Sequence, residues 1–291
     1  MNGWVATRRQ LDPGRWHFAQ GPIDLVIGAE GEAGPCALAF EAAWARFGPV
    51  LQRLVQELPT LRAPSPASRP PAGPVAARMH EASSRLARAT GVFITPMAAV
   101  AGSVADHLID CFARPGVRRA YVNNGGDIAL HLEADAHYRV GLVADLGAPA
   151  IDAEFDVLGS ERVRGVASSG WRGRSLSMGI ADTVTVIGAD AASADAAATL
   201  IANAVDVDDP AIERAPASTV RDDSDLGERL VTLAVGALSV EQVDAALDAG
   251  ERFALQLAGH GLIERAALVL SGRWRLIDRS GRRSLKVEHA R

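Results

Sequence analysis

Short alternations of apolar and polar residues run through positions 4–27 on both sides of the turn signal Asp12-Pro13-Gly14, and they predict a β-hairpin or meander. From 36 to 58 the spacing changes to that of an amphipathic helix, with Leu38, Phe40, Ala43, Phe47, Leu51 and Leu54 at its apolar positions. Positions 62–74 are rich in Pro, Ala and Ser, hold neither a helix nor a central strand, and read as a surface loop. Helical spacing returns over 75–90 and 98–112. The segment 119–132 then reads strand, glycine turn, strand, and 138–144 reads as a further strand. The clearest strand is 182–188 (DTVTVIG), and the clearest helix is 193–205. Beyond an acidic, loop-like stretch, 230–238 reads as strand, 240–257 as helix, and 266–276 as a closing hairpin broken at Ser271-Gly272. No solenoid-like repeat is visible. Hairpins interleaved with helices predict an α+β fold of mixed or antiparallel sheets with packed helices rather than a regular βαβ series. The whole chain, 1–291, is read as one domain with a Pro-rich surface loop at 62–74.

Composition narrows the function classes. Hydrophobic residues make up 48% and charged residues 22%, the balance of a soluble globular protein. A net charge of -5 argues against general attraction to nucleic acid or to an anionic membrane. Lys286 is the only lysine, so Schiff-base chemistry is excluded unless that residue supplies it. Cys36 and Cys111 make no disulfide framework and no C-x-x-C pair, and their apolar helical surroundings predict buried small hydrophobes. The first residues lack a signal-peptide pattern and a lipid-anchor cysteine, and no long apolar run predicts a membrane span. The cytoplasm is therefore the default expectation, and a homodimer is expected only on base rate.

Three stretches carry candidate chemistry. The first, Tyr121-Val122-Asn123-Asn124-Gly125-Gly126-Asp127-Ile128, runs a strand into a turn where backbone can adopt positive φ and approach a ligand. The same residues are ideal for a tight hairpin, and a hairpin tip can also carry a site. The second, from Gly165 through Ser169, Gly170, Trp171, Arg172 and Arg174 to Ser175, combines glycines, hydroxyls and two guanidinium forks. It reads either as a phosphate cradle or as a flexible surface loop, and it lacks the Walker ending. In the third, Ser193 is read as a helix N-cap, with Asp195 and Thr199 one turn apart on one face. A carboxylate and a hydroxyl so placed are hard oxygen ligands of the kind Mg²⁺ takes, or else local helix-terminus groups. Asn203 continues the stripe.

Taken in order, Gly125-Gly126-Asp127, Ala167-Ser168-Ser169-Gly170, a Val/Thr-rich strand, and Ala194-Asp195 with Thr199 resemble the FAD:protein FMN transferase (ApbE-like) family. Ala101-Gly102-Ser103-Val104-Ala105-Asp106 resembles that family's Lys-Gly-x-x-x-Asp helix. Within this superfamily the chain is most similar to the UPF0280 family, through the motifs beginning at Thr95, Asn123, Ser169 and Ala194. The resemblance implies an ApbE-like, flavin-transferase-like architecture. It also implies Mg²⁺ held by Asp195 and Thr199 against the pyrophosphate of FAD or a related nucleotide. Asn124, Gly125, Gly126, Asp127, Ser169 and Gly170 would border that ligand. In the transferases an acceptor hydroxyl attacks phosphorus and AMP leaves, which asks more for charge neutralisation and alignment than for a strong base.

Two departures bear on the activity. Ala101 stands where the family has lysine, and the His-containing segment after the Ser-Gly turn is replaced by residues 172–182, which carry no histidine. Arg172 and Arg174 are left to take over anion binding, and Asp182 is either a further ligand or a strand-start cap. Three function classes stay open: a transferase or hydrolase of a small phosphorylated ligand, a non-catalytic binding or assembly protein, and an enzyme of pterin or one-carbon cofactor metabolism. The histidines (17, 80, 107, 131, 137, 260 and 289) show no metal-ligand spacing, and His107, beside Asp106, reads as structural.

Overall fold

The alternation at the start of the chain folds as an antiparallel meander of β1 (Thr7–Asp12), β2 (Arg15–Gln20) and β3 (Ile23–Gly31). Its turns close on Gly14 and Gly21, at φ of 77° and 58°. The computed structural model describes residues 4–67, 69–143 and 151–279, together with the backbone of 285–287. Ala144, His289 and the side chain of Lys286 lie outside the described residues. The chain divides into two compact units that interleave in sequence. One comprises Met1–Tyr138, Val157–Ala167 and Gly188–Asp195; the other comprises Arg139–Asp156, Ser168–Ile187 and Ala196–Arg291.

In the first unit the predicted helix over 36–58 is three pieces: α1 (Ala33–Phe47), α2 (Val50–Gln56) and α3 (Leu58–Leu61). Pro49 and Pro59 cannot sit inside a continuous helix, and each stands at the start of a new one. Cys36, Ala39, Phe40, Ala43 and Phe47 are buried, whereas Leu38, expected on the apolar stripe, is 65% exposed. The 62–74 loop ends where Pro74 opens α4 (Pro74–Thr90), and Gly91 closes that helix at φ 70°, donating its N–H to the Ala87 carbonyl. A 3₁₀ turn, Pro96–Ala99, leads into α5 (Val100–Ile109). Next come β4 (Val117–Asn124) and β5 (Asp127–Leu132), the predicted strand–turn–strand. β3 pairs β4 and β4 pairs β5, all antiparallel, and α5 packs on the β4–β5 face.

The next predicted strand is β6 (His137–Leu142). It is followed by β7 (Ala153–Leu158), which the sequence reading missed, and by β8 (Gly165–Ser169). The latter corrects the reading of 165–169 as loop, because Gly165, Val166 and Ala167 are buried and Ile128 pairs with Val166. The second unit is built on β9 (Thr183–Gly188), entirely buried as its apolar run predicts. α6 (Ala191–Ala204) follows β9. The acidic stretch holds β10 (Ile212–Pro216) and the short α7 (Ala217–Val220) before β11 (Leu230–Val235), its antiparallel partner. α8 (Val240–Gly259) starts with a Ser239–Gln242 capping box and packs on the hairpin β12 (Arg265–Leu270) and β13 (Arg273–Asp278). β12 lies between β9 and β13, antiparallel to both. β14 (Leu285–Val287) pairs with β7. Both cysteines are buried and free, and no described helix is long and apolar enough to cross a membrane.

Within the first unit, α5 touches the first residues of α6 through a glycine. A Cβ on Gly102, in α5, would overlap the Ala191 carbonyl and the Ala192 nitrogen at the start of α6. These are backbone atoms, which cannot swing aside as a side chain would. Gly102→Ala is therefore expected to lower the unfolding free energy by about 3 kcal/mol, the upper end for overpacking a tight core. Urea denaturation of the two proteins measures it, and a loss within about 0.5 kcal/mol would mean that the helices do not depend on this approach.

Candidate active site

The site begins at the tip of the β4–β5 hairpin. Asn124 pairs directly with Asp127, leaving Gly125 and Gly126 as a two-residue loop at φ of 65° and 113°. Positive φ at both loop residues is what a tight hairpin asks for, so the hairpin reading of Asn-Gly-Gly holds. Asn123 reinforces the turn by accepting the Gly126 N–H on Oδ1 at 2.9 Å. Directly opposed residues share a face, which turns Asn124 and Asp127 together toward α5. Both are buried. Asn124 donates through Nδ2 to the Ala101 carbonyl at 3.1 Å, tying the hairpin to the first turn of that helix.

The same turn of α5 meets a carboxylate. Asp195 accepts the Gly102 N–H on Oδ2 at 3.0 Å and is buried. Burial pushes its carboxyl well above the ordinary range, and the neighbouring Asp127 pushes it the same way, against the N–H groups of Gly102 and Ala101. Asp106, further along α5, returns the contact: its Oδ1 and Oδ2 accept the N–H groups of Ala191 and Ala192 at 3.0 and 2.8 Å. Asp190 completes the start of α6 by accepting the Ser193 N–H at 2.7 Å. Asp190 rather than Ser193 is thus the N-cap, and the helix begins two residues earlier than predicted. The Asp106 carboxyl is raised to about 7, mainly by burial and then by Asp190, in spite of the Ala192 and Ala191 N–H groups and of Arg78.

Of the residues singled out in the sequence, the structure brings Asn124, Gly125, Gly126, Asp127 and Asp195 together in the first unit. Ser169, Gly170, Arg172, Arg174 and Thr199 belong to the second. Thr199 is half-buried, one turn beyond Asp195 on α6. Gly170 lies against the backbone carbonyls of Asp182 and Ala181, where no Cβ fits. Arg172 stacks over Trp171, 4.5 Å from the ring centroid, and donates Nε to Asp182 Oδ1 at 2.8 Å. Asp182 Oδ2 accepts the Ser271 N–H at 2.6 Å, so both its oxygens hold the protein together. Arg174 is exposed, and its carbonyl accepts from Arg221. His107 is half-buried and lowered to about 4, by burial first and then by Arg46, Arg78 and Arg53, so it stays uncharged near neutrality. Sequence reasoning missed Asp190 and gave Asp106 no task. An Asp directly before an alanine run is an N-cap signal that was there to be read; the reach of Asp106 to a distant helix left no local trace.

Among the described residues no group of three or more His, Cys, Asp or Glu side chains is arranged to hold a metal. Asp127 and Asp195 are two neighbouring buried carboxylates, the first at the end of the Gly125-Gly126 turn. Oxygen donors in that number suit Mg²⁺, which takes one or two carboxylates and fills its shell with water and phosphate oxygens. Metal-ligating carboxylates are usually themselves hydrogen-bonded, as Asp195 is by Gly102.

A pH dependence follows. The Asp106 carboxyl sits at about 7 in the folded chain against 3.8 for the free group, so the folded state binds the extra proton between those values. Stability contributed by this group is full below that window and falls as pH rises through it. Urea midpoints of the wild type should decline from about pH 4 to about pH 7, and Asp106→Asn should decline less steeply. Parallel curves for the two proteins would contradict the assignment.

Several known proteins are similar to this chain. The family model described as AbpE bacteria matches residues 7–276. The "UPF0280 protein" of Methanothrix thermoacetophila is 40% identical over 126 residues, 43% of this chain and 52% of that protein. That of Methanosphaerula palustris is 41% identical over 118 residues, 40% of this chain and 49% of its own. The matches thus span about half the length of these relatives. Among solved structures, the apo form of the Pseudomonas stutzeri flavinyl transferase ApbE aligns over 96% of each chain at 12% identity and a TM-score of 0.47. With the family model covering nearly the full length and UPF0280 proteins as relatives, the chain belongs to the AbpE family of bacteria.

Proposed function

We propose that this protein binds a phosphorylated flavin- or nucleotide-like ligand together with Mg²⁺ at the tip of the β4–β5 hairpin, and transfers or cleaves part of that ligand. The observation that carries the reading is the buried pair Asp127 and Asp195. Two adjacent carboxylates out of water repel each other, and a divalent cation bound between them would relieve that repulsion. Family membership and the resemblance of these motifs to the FAD:protein FMN transferases support the same ligand class.

Within this reading Asp195 and Asp127 are the carboxylate ligands; Thr199, which the resemblance adds to the metal ligands, lies one turn further along the same helix. Bound Mg²⁺ would offset the charge of a pyrophosphate. Gly125 and Gly126 present bare backbone, so a flat ring or phosphate can approach without meeting a side chain. Asn124 holds the tip against α5. One observation favours binding without transfer: Ala101 replaces the family's lysine, and its carbonyl serves only to receive Asn124.

Calorimetric titration with FAD in Mg²⁺ and in EDTA tests the binding. Mg²⁺-dependent affinity is expected, weakened at least about tenfold in Asp195→Asn. Mass spectrometry of small molecules that co-purify extends the search to other phosphorylated ligands, pterin-linked ones included. AMP release with a flavodoxin-like acceptor then separates a transferase from a binding protein. If the wild type binds no phosphorylated ligand with or without Mg²⁺, the reading fails.

A further inference from the structure

We infer that Asp106 is a positioning residue of this site: it fixes the first turn of α6, and through that turn the Asp195 carboxylate, without touching ligand or metal. The inference rests on the proposed function for its consequence in metal binding, while its structural half stands on geometry alone. Both oxygens of Asp106 are taken by backbone N–H groups, those of Ala191 and Ala192, at 3.0 and 2.8 Å. A carboxylate so engaged and buried keeps little capacity for an incoming cation. Ala191 and Ala192 are the first two residues of α6, and Asp195 follows within the next turn. A helical turn is stiff, so locating two of its N–H groups locates the side chain that leaves it three residues later.

Three features converge on this assignment. Gly102 removes the side chain that would hold the two helices apart, so that Asp106 can reach α6 at all. Gly165 does the same from β8, where a Cβ would overlap the Asp190 carbonyl and the Ala191 nitrogen. Asp190 caps its own helix through the Ser193 N–H, leaving the N–H groups of Ala191 and Ala192 for an acceptor from elsewhere in the chain. The start of α6 is therefore set by α5 and β8, and Asp106 is the only one of these contacts made by a side chain that a substitution can remove cleanly.

The test uses the full-length protein and two substitutions. Asp106→Asn keeps the size and one acceptor oxygen, and Asp106→Ala keeps neither. Circular dichroism and thermal melting establish that each is folded, with Asp106→Asn carrying the test should the alanine variant not fold. The Gly102 amide resonance, read in protein labelled with ¹⁵N-glycine and assigned through its loss in Gly102→Ala, reports whether Asp195 still reaches that N–H. It should shift upfield in Asp106→Asn as the bond to Asp195 lengthens. Mn²⁺ serves as the probe of the metal site: its dissociation constant should rise by about threefold to tenfold in Asp106→Asn and by about tenfold to a hundredfold in Asp106→Ala, the range found for groups that support metal ligands. An unmoved Gly102 resonance overturns the inference, as does an unchanged Mn²⁺ affinity in folded variants of a wild type that binds it. A wild type that binds no Mn²⁺, with the Gly102 resonance still moving in Asp106→Asn, would sink the metal reading while leaving the positioning role standing.

Discussion

Buried helix ends must find acceptors for N–H groups that no residue of the same helix can satisfy, and this protein answers that demand with an exchange between two helices. α5 offers Asp106 to the first N–H groups of α6, and α6 offers Asp195 to the N–H of Gly102 in the first turns of α5. Each helix caps the other. The exchange requires close contact of backbones, which only a residue without a side chain permits at Gly102. Helix dipoles add to it, since each carboxylate lies near the positive end of its partner. Loss of either carboxylate would leave N–H groups buried without acceptors, so the helix pair and the candidate site stand or fall together.

That arrangement concentrates acid where the chain is least hydrated. Asp106, Asp127, Asp190 and Asp195 act on one another through a buried region, and burial raises the carboxyls of Asp106 and Asp195. A protein selected for stability alone could satisfy the same N–H groups with serine or asparagine at a smaller desolvation cost. Carboxylates there carry that larger cost, which the proposed Mg²⁺ would offset. Ala101 stands where the resemblance would bring a lysine, and it contributes backbone alone: its carbonyl accepts the Asn124 amide and its N–H favours the charged form of Asp195.

How much of this was legible in the sequence differs by element. The meander, the β4–β5 hairpin, β9, α4, α8 and the closing hairpin all follow from period and turn chemistry, because each is determined by neighbours in the chain. The failures share a cause. β8 carries two glycines' worth of loop signal around Ser168-Ser169-Gly170, yet its first residues are buried beside β5, and that pairing is set at long range. On α1 the apolar stripe holds at Phe40, Ala43 and Phe47, but Leu38, the more hydrophobic of two neighbours, is exposed while the small Ala39 faces the core. At the site, Asn124, the two glycines, Asp127 and Asp195 were found as motifs, but the partners that hold them were not. A hydrogen bond between positions 102 and 195 has no periodicity to reveal it.

The two-residue loop at Gly125-Gly126 settles more than the sharpness of a turn. Because Asn124 and Asp127 stand directly opposite each other across it, their side chains leave the sheet on the same side. A slip of the pairing by one residue would turn the aspartate to the other side, away from Asp195. The register of this one pair, held by two glycines at positive φ, thus orients the carboxylate of one strand and the amide of its neighbour at a single stroke.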